Sequence, residues 1–298
     1  MSDLVLPQGK AASAEIKGRS LWVDAWRRLI GNRAAVVSMI LLGIIVLLAV
    51  LAPWLSPFPY DEVYWDFIGA PPSFDSGHIF GTDQNGRDLF VRTLYGGRIS
   101  LLVGIVATAV SLVIGVAYGA IAGYFGGRLD AVLMRVVDIL YAMPFMFFVI
   151  LLMVFFGRNI LLIFVAIGAV NWLDMARIVR GQTLSLKRRE FVEAAEALGV
   201  GAFAIIRRHV VPNLLGVVAV YVTLTIPQVI LIESFLSFLG LGVQEPMTSW
   251  GALVHDGAAE LESAPWILIF PAVFLAVTLF CFNFVGDGMR DALDPKDR

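Results

Sequence analysis

From Ala34 to Trp54 this chain carries no charged side chain. A run of that length crosses a hydrocarbon core of about 30 Å when wound as a helix at about 1.5 Å per residue. Five more apolar runs follow. Ile99 to Tyr124 is uncharged, a third run begins after the turn Gly126 to Asp130, and Ile160 to Val179, Leu214 to about Gly240 and Trp266 to Gly286 complete the set. Hydrophobic residues make up 59% of the 298, more than a soluble core of this length can hide. The pattern predicts an all-α integral membrane protein with six transmembrane helices. Residues 1–33 precede the spans, 34–286 contain them and 287–298 form a tail.

Charge placement orients the spans. Lys10, Lys17, Arg19, Arg27, Arg28 and Arg33 precede the first run, and Lys187, Arg188, Arg189, Arg207 and Arg208 lie between the fourth and fifth. Positive charge marks the cytoplasmic side, so both termini and the loop 181–213 are expected inside. The first run is too long for a cleavable signal and reads as an uncleaved anchor. Before it, Leu21, Trp22, Ala25, Trp26 and Leu29 recur at helical spacing beside Arg27 and Arg28, the pattern of a short interfacial helix. Arg87, Arg92 and Arg98 in the outer loop 56–98 are exceptions, offset by Asp61, Glu62, Asp66, Asp75, Asp83 and Asp88. The loop 243–265 has no Lys or Arg and is expected outside.

Several spans carry features beyond length. Gly104, Ala107, Ser111, Gly115 and Gly119 place small residues along one side of the second span, a face on which another helix can approach closely. Arg135 and Asp138, three apart, can pair near the start of the third. Pro144 follows Met143 inside that run and is expected to kink it beside Phe145, Met146, Phe147 and Phe148. Such a kink either packs against its own phenylalanines or lines a cavity. Glu233 falls about twenty residues past Pro212, roughly 30 Å along a helix, so it is expected near the outer boundary as an interfacial or gate-lining acid, with a proton relay as the alternative.

The stretch Glu190 to Asn213, EFVEAAEALGVGAFAIIRRHVVPN, is a charged island between two apolar runs. Phe191, Ala194, Ala195 and Leu198 form one narrow apolar stripe, with Glu190, Glu193 and Glu196 towards its margins. Gly199 stands where a helix ends on a left-handed residue, Ala202 to Arg208 can turn off in a new direction, and Pro212 suits the first turn of the next helix. From pattern alone this is either a surface hairpin or a helix with a face to dock.

The rest of the chain narrows the function by exclusion. Lys+Arg at 22 against Asp+Glu at 24 gives a formal charge of −2, which speaks against nucleic acid as a partner. Cys281 lies alone in an apolar run, and His78, His209 and His255 lack ligand-type neighbours, so neither a disulfide nor a metal site is expected. Asp83, Asn85, Gly86 and Asp88 do not fit a twelve-residue calcium loop. There is no GxxxxGK[ST] phosphate loop and no nucleophile with a base at catalytic spacing, so no cofactor site and no enzyme activity are expected of this chain itself.

Glu193-Ala194-Ala195, three residues, Gly199 and a later proline resemble the EAA loop of permease subunits in ATP-binding-cassette importers, with His209 and Val211 where the family usually has Ile and Leu. GTDQNGRD at Gly81 to Asp88, SFLSFLGLG at Ser234 to Gly242 and GDGMRDALDP near the end resemble the second permease subunit of bacterial oligopeptide importers, with dipeptide and nickel permeases as near relatives. The resemblance implies a type I importer permease fold in the bacterial inner membrane. It also implies a heterodimer with a sibling permease, two cytoplasmic ATPase subunits that use ATP and Mg, an external substrate-binding protein, a peptide substrate and a lipid surround. Glu193, Ala194, Ala195 and Gly199, with Phe191 and Leu198, would form the ATPase-coupling helix. Pro144, Phe145, Phe148 and Glu233 are the candidates for pathway or gate. Dipeptide, nickel or antimicrobial-peptide import, and an ion-coupled transporter relying on Glu233 and Asp174, are the competing readings.

Overall fold

A computed structural model describes residues 21–156 and 160–293. The amphipathic stretch before the first span is helix α1 (Leu21–Gly31), with Ala25 and Leu29 buried and Trp22 and Trp26 exposed. Asn32 ends it and caps α2 (Arg33–Leu55), accepting a hydrogen bond from the Ala35 amide at 3.2 Å. A long loop, broken only by a 3-10 turn at Trp65–Phe67, leads to α3 (Leu89–Phe125). Next come α4 (Gly127–Ala142), α5 (Phe145–Phe156) and α6 (Ile160–Leu186). Then α7 (Glu190–Ala197) is followed by a rod made of α8 (Ala202–Ile205), a π turn at Ile206–Val210 and α9 (Val211–Phe238). The last helices are α10 (Trp250–Ala259) and α11 (Trp266–Leu293).

Among the described residues α2, α3, the rod Ala202–Phe238 and α11 are each long and apolar enough to cross a membrane, and α4 with α5, bent by 82°, make a fifth candidate. α6, 27 residues long, lies along α3 in the most extensive helix pairing of the molecule. Glycines set that approach. A Cβ at Gly115 would lie 2.6 Å from Met175, at Gly119 2.4 Å from the Ala176 carbonyl, and at Gly123 2.8 Å from the Arg180 carbonyl. Further along the same helix, one at Gly104 would meet Ile230 of α9 at 2.7 Å. The row of small residues is therefore a packing face, as its spacing implied.

Prolines account for the irregularities. Pro53 has no N–H for the Ala49 carbonyl four residues back, and Arg98 of α3 donates to that carbonyl instead, and to the Val50 carbonyl at 2.5 Å. A basic residue in the early turns of α3 thus has a structural use. Pro144 does more than kink a helix. Met143 before it is extended, at φ −76 and ψ 130, so α4 stops and α5 starts in a new direction. Pro212 stands in the first turn of α9, as expected, but α9 is not separate from what precedes it. The π turn just before it carries the rod through without a break, and the Val211 amide reaches back to the Ile206 carbonyl. The expected Arg135–Asp138 pair is also replaced. Asp138 pairs with Arg177 of α6 at 2.8 Å, a partner across the helix interface that three-residue spacing could not reveal.

Candidate functional site

Helix α7 is assembled from local signals. It starts after Lys187, Arg188 and Arg189, and Glu190 and Glu193 occupy its first turn, where the helix dipole favours acids. It ends in a Schellman motif: the Gly199 amide donates to the Glu196 carbonyl at 2.9 Å and the Val200 amide to the Ala195 carbonyl at 3.1 Å. Gly199 has φ +76, the left-handed turn its position called for, and a Cβ there would meet nothing within 4 Å.

The helix presents two apolar faces where the spacing pointed to one. Val192 and Ala195 are buried against Ile205, Ile206 and Val210 of the following rod, in a cluster that includes Tyr124, Met175 and Val179 of α3 and α6. Phe191, Ala194 and Leu198 point away from that core, Leu198 being 82% exposed, and Phe203 on the adjoining turn is 69% exposed. Ala195 therefore leaves the expected stripe and joins the inner face. Glu193 is exposed beside the outer stripe.

Polar contacts tie α7 and the segment before it to α3, and join α6 to α4 beside them. The Tyr124 hydroxyl at the end of α3 hydrogen-bonds the Glu196 carboxylate at 2.7 Å. Lys187 donates to the Tyr124 carbonyl at 2.7 Å and sits 5.2 Å from the centre of its ring. Arg180 of α6 grips both oxygens of Asp130 on α4, Nη2 to Oδ2 at 2.6 Å. The four helices that converge here are thereby cross-linked by charge-assisted bonds.

At the bend, Pro144 is exposed, while Phe145 and Phe148 are half-buried and line a cleft with Leu140, Met143, Ala169, Val170 and Leu173. Glu233 is not with them. It is fully buried inside this chain, with Ser100 of α3 at 3.1 Å and Ser237 of α9 at 2.7 Å, and Ser249 at the start of α10 bonded to Ser237 at 3.1 Å. The surrounding hydroxyls, unseen in the sequence because they come from three elements, make it a tie between helices.

Residues 115–298, from the middle of α3 to the end, match the family described as "Binding-protein-dependent transport system inner membrane component". The chain belongs to that family. Residues 20–72 match the "N-terminal TM domain of oligopeptide transport permease C". The "Oligopeptide transport system permease protein OppC" of Haemophilus influenzae is 61% identical over 284 residues, 95% of this chain and 91% of that protein. Its namesake from Escherichia coli strain K12 is 63% identical over 284 residues, 95% and 94% of the two chains. The "Dipeptide transport system permease protein DppC" of Bacillus subtilis is 46% identical over 298 residues, 99% and 92%.

This transport-family chain also holds a polar cluster that its spacing did not explain. GTDQNGRD closes around Asp83, whose Oδ1 accepts from the Asn85 and Arg87 amides at 2.8 and 2.9 Å and whose Oδ2 meets Arg87 Nε at 2.7 Å and Arg92 Nε at 3.3 Å. Burial pulls the Arg87 guanidinium down, but Asp83 and Glu245 more than restore it, so its pKa ends above the ordinary value. Arg87 reaches Glu245 in the loop after α9 at 2.8 Å. Asp88 caps α3 through the Val91 amide and takes His78 Nδ1, each at 2.8 Å. In the hairpin, Tyr124, Lys187 and Val192 are the contributors that sequence reasoning missed. A helical-wheel assignment of α7 by its buried partner, not by its apolar residues alone, would have found Val192; nothing local marks Tyr124.

Proposed function

We propose that this chain is a permease subunit forming half of the translocation pathway of an ATP-driven oligopeptide importer, of the type I permease fold. In this reading it has six spans, α4–α5 and α6 supplying the third and fourth, with both termini in the cytoplasm of a bacterium bounded by its inner membrane. A sibling permease completes the pathway, an external binding protein delivers peptide, and two ATPase subunits bind ATP and Mg. No cofactor belongs to this chain, which is not itself an enzyme.

The observation that carries the proposal is the outer face of α7. Phe191, Ala194 and Leu198 are exposed on a helix whose inner face is already packed and whose Glu196 is bonded to α3. An apolar stripe left open next to Glu193, on an element rigidly joined to the spans, suits a contact through which a second protein moves them. Gly199 ends the helix and fixes its angle. Pro144, Phe145 and Phe148 lie at the bend where the pathway would run. The 61% and 63% identities to proteins named for oligopeptide transport support peptide as cargo, and the 46% identity to one named for dipeptides supports short peptides as the second choice.

Co-expression with the neighbouring subunits tests this. The expected result is a stable complex with the ATPases that accumulates peptide in proteoliposomes only with internal ATP and external binding protein. Uptake by the permeases alone, driven by an ion gradient, would overturn it.

A further inference from the structure

On the α4–α6–α9 side of the molecule, a cleft of about 400 Å³ opens between the α4–α5 bend, α6 and α9, bordered by Tyr141, Asn171, Asp174 and Gln228 among apolar neighbours. That volume falls within the roughly 300–1,000 Å³ usual for small-ligand sites. Elsewhere the exposed middles of α2 (Val37, Ile40, Leu47) and α11 (Val273, Phe280) are apolar, as lipid requires. Here Tyr141 and Gln228 are exposed, and Asp174 is half-buried. Polar and ionisable groups within spans face a bundle interior or a water-filled cavity, so this side is turned to the aqueous path and not to lipid.

The charges in the cleft are not balanced. Arg177, one turn from Asp174, is committed to Asp138 at 2.8 Å, and its guanidinium lies 4.4 Å from the centre of the Tyr141 ring. Among the described residues no basic side chain forms an ion pair with Asp174. Asn171 donates to the Ile167 carbonyl at 2.8 Å, which leaves its own carbonyl oxygen as an acceptor. The cleft thus offers one carboxylate, amide donors and acceptors, and an aromatic hydroxyl, with apolar walls from Leu140, Phe145 and Ile232.

Resting on the importer reading above, we infer that this cleft is a transit site for peptide, in which Asp174 takes the amino-terminal ammonium while Gln228 and Asn171 hydrogen-bond the first peptide units. Those are the groups that peptides of different sequence share. A site that binds them, with slack apolar walls, passes varied side chains without selecting among them. A hard metal cation would demand several oxygen ligands around one point, which a single carboxylate does not supply.

The test uses the complete transporter in proteoliposomes, trialanine with its binding protein as the probe, and Gln228→Cys as the reporter. The introduced thiol is expected to react with a charged, water-borne thiosulfonate. Trialanine, delivered as the complex turns over, is expected to slow that reaction about tenfold, the size expected for loss or gain of one charge-assisted bond. Asp174→Asn in the same background removes the protection, Asp174→Glu restores part of it, and N-acetylated trialanine gives none even with Asp174 intact. A thiol that does not react, protection indifferent to Asp174→Asn, or equal protection by the acetylated peptide overturns the assignment. Failure of the unmodified transporter to accumulate trialanine would sink the importer reading instead. Accumulation with no protection at Gln228→Cys would sink only the cleft.

Discussion

His78, Asp83, Arg87, Asp88 and Arg92 sit at one end of α3, each 5% exposed or less, while at the other end Glu190, Glu193 and Glu196 line a helix that is open to its surroundings. The first group spends its charges on one another and on backbone amides: Asp83 alone meets two guanidinium groups and two N–H groups. The second keeps a single tie among its acids, Glu196 to Tyr124, and leaves its apolar outer stripe exposed. Buried charge that is paired within the chain holds a fold together. Exposed charge flanking exposed apolar surface prepares a contact. The two ends therefore answer different questions when they are mutated.

The largest effect should come from Asp83→Ala. It leaves Arg87 and Arg92 buried without their common counterion, and loss of one partner from a buried ionic set costs about 3–5 kcal/mol. Thermal unfolding in detergent should shift down sharply and the amount recovered from membranes should fall. Unchanged unfolding would show that the cluster is not structural. A glycine pair sharpens the contrast next, because Gly81 and Gly199 share φ +76 but not their surroundings. A Cβ at Gly81 would lie 2.5 Å from the Ala70 carbonyl, whereas one at Gly199 meets nothing. Gly81→Ala combines about 1–2 kcal/mol of left-handed strain with an overpacking term of similar size, so about 3 kcal/mol in all. Gly199→Ala carries the strain alone, too little to unfold a helical bundle. It should insert normally, but with α7 re-angled its peptide uptake should drop several-fold, by the same roughly 1–2 kcal/mol. Equal melting of the two variants would erase the distinction between the ends.

How far the sequence could be read follows the same division. Apolar runs announce helices because each is a local property, and the Schellman glycine and the small-residue face of α3 are legible for that reason. Gly115 and Gly119 can be placed on a face without knowing that α6 lies against it. What could not be read is whatever depends on a partner far along the chain. Arg98 answers a carbonyl freed by Pro53, Asp138 chooses Arg177 over Arg135, and the hydroxyls around Glu233 arrive from α3, α9 and the start of α10. The stripe of α7 shows the limit most clearly. Spacing grouped Ala195 with Phe191 and Leu198, but which apolar residues turn inward depends on where the following rod packs, and the rod selects Val192 and Ala195.

A smaller effect is expected where the open end is anchored. Tyr124→Phe removes the 2.7 Å bond to Glu196 but keeps the ring beneath Lys187, so stability should fall by about 1 kcal/mol. If that bond carries movement between α7 and α3, peptide uptake per ATP hydrolysed should fall further than the melting temperature implies, and Tyr124→Trp should not rescue it. A ratio equal to the unmodified transporter's would reduce Tyr124 to a packing residue.

The least disturbance to the fold, and the most direct probe of the open end, is Leu198→Asn. The side chain is 82% exposed and touches no buried cluster, so the change should lie within about 0.5 kcal/mol in unfolding free energy. Should the outer stripe be where the ATPase seats, however, replacing an apolar anchor with an amide desolvates a polar group at the contact. Association then weakens by about 1–3 kcal/mol, a loss of roughly fivefold to a hundredfold in affinity. Co-purification of the ATPases from detergent extracts measures this directly, with Val192→Asn as the opposing control. That variant buries an amide on the inner face and should damage the fold first. If Leu198→Asn leaves the complex intact while Val192→Asn alone disrupts it, the exposed stripe is not the contact, and the charge at this end of α3 serves the hairpin's own fold just as the Asp83 cluster serves the other.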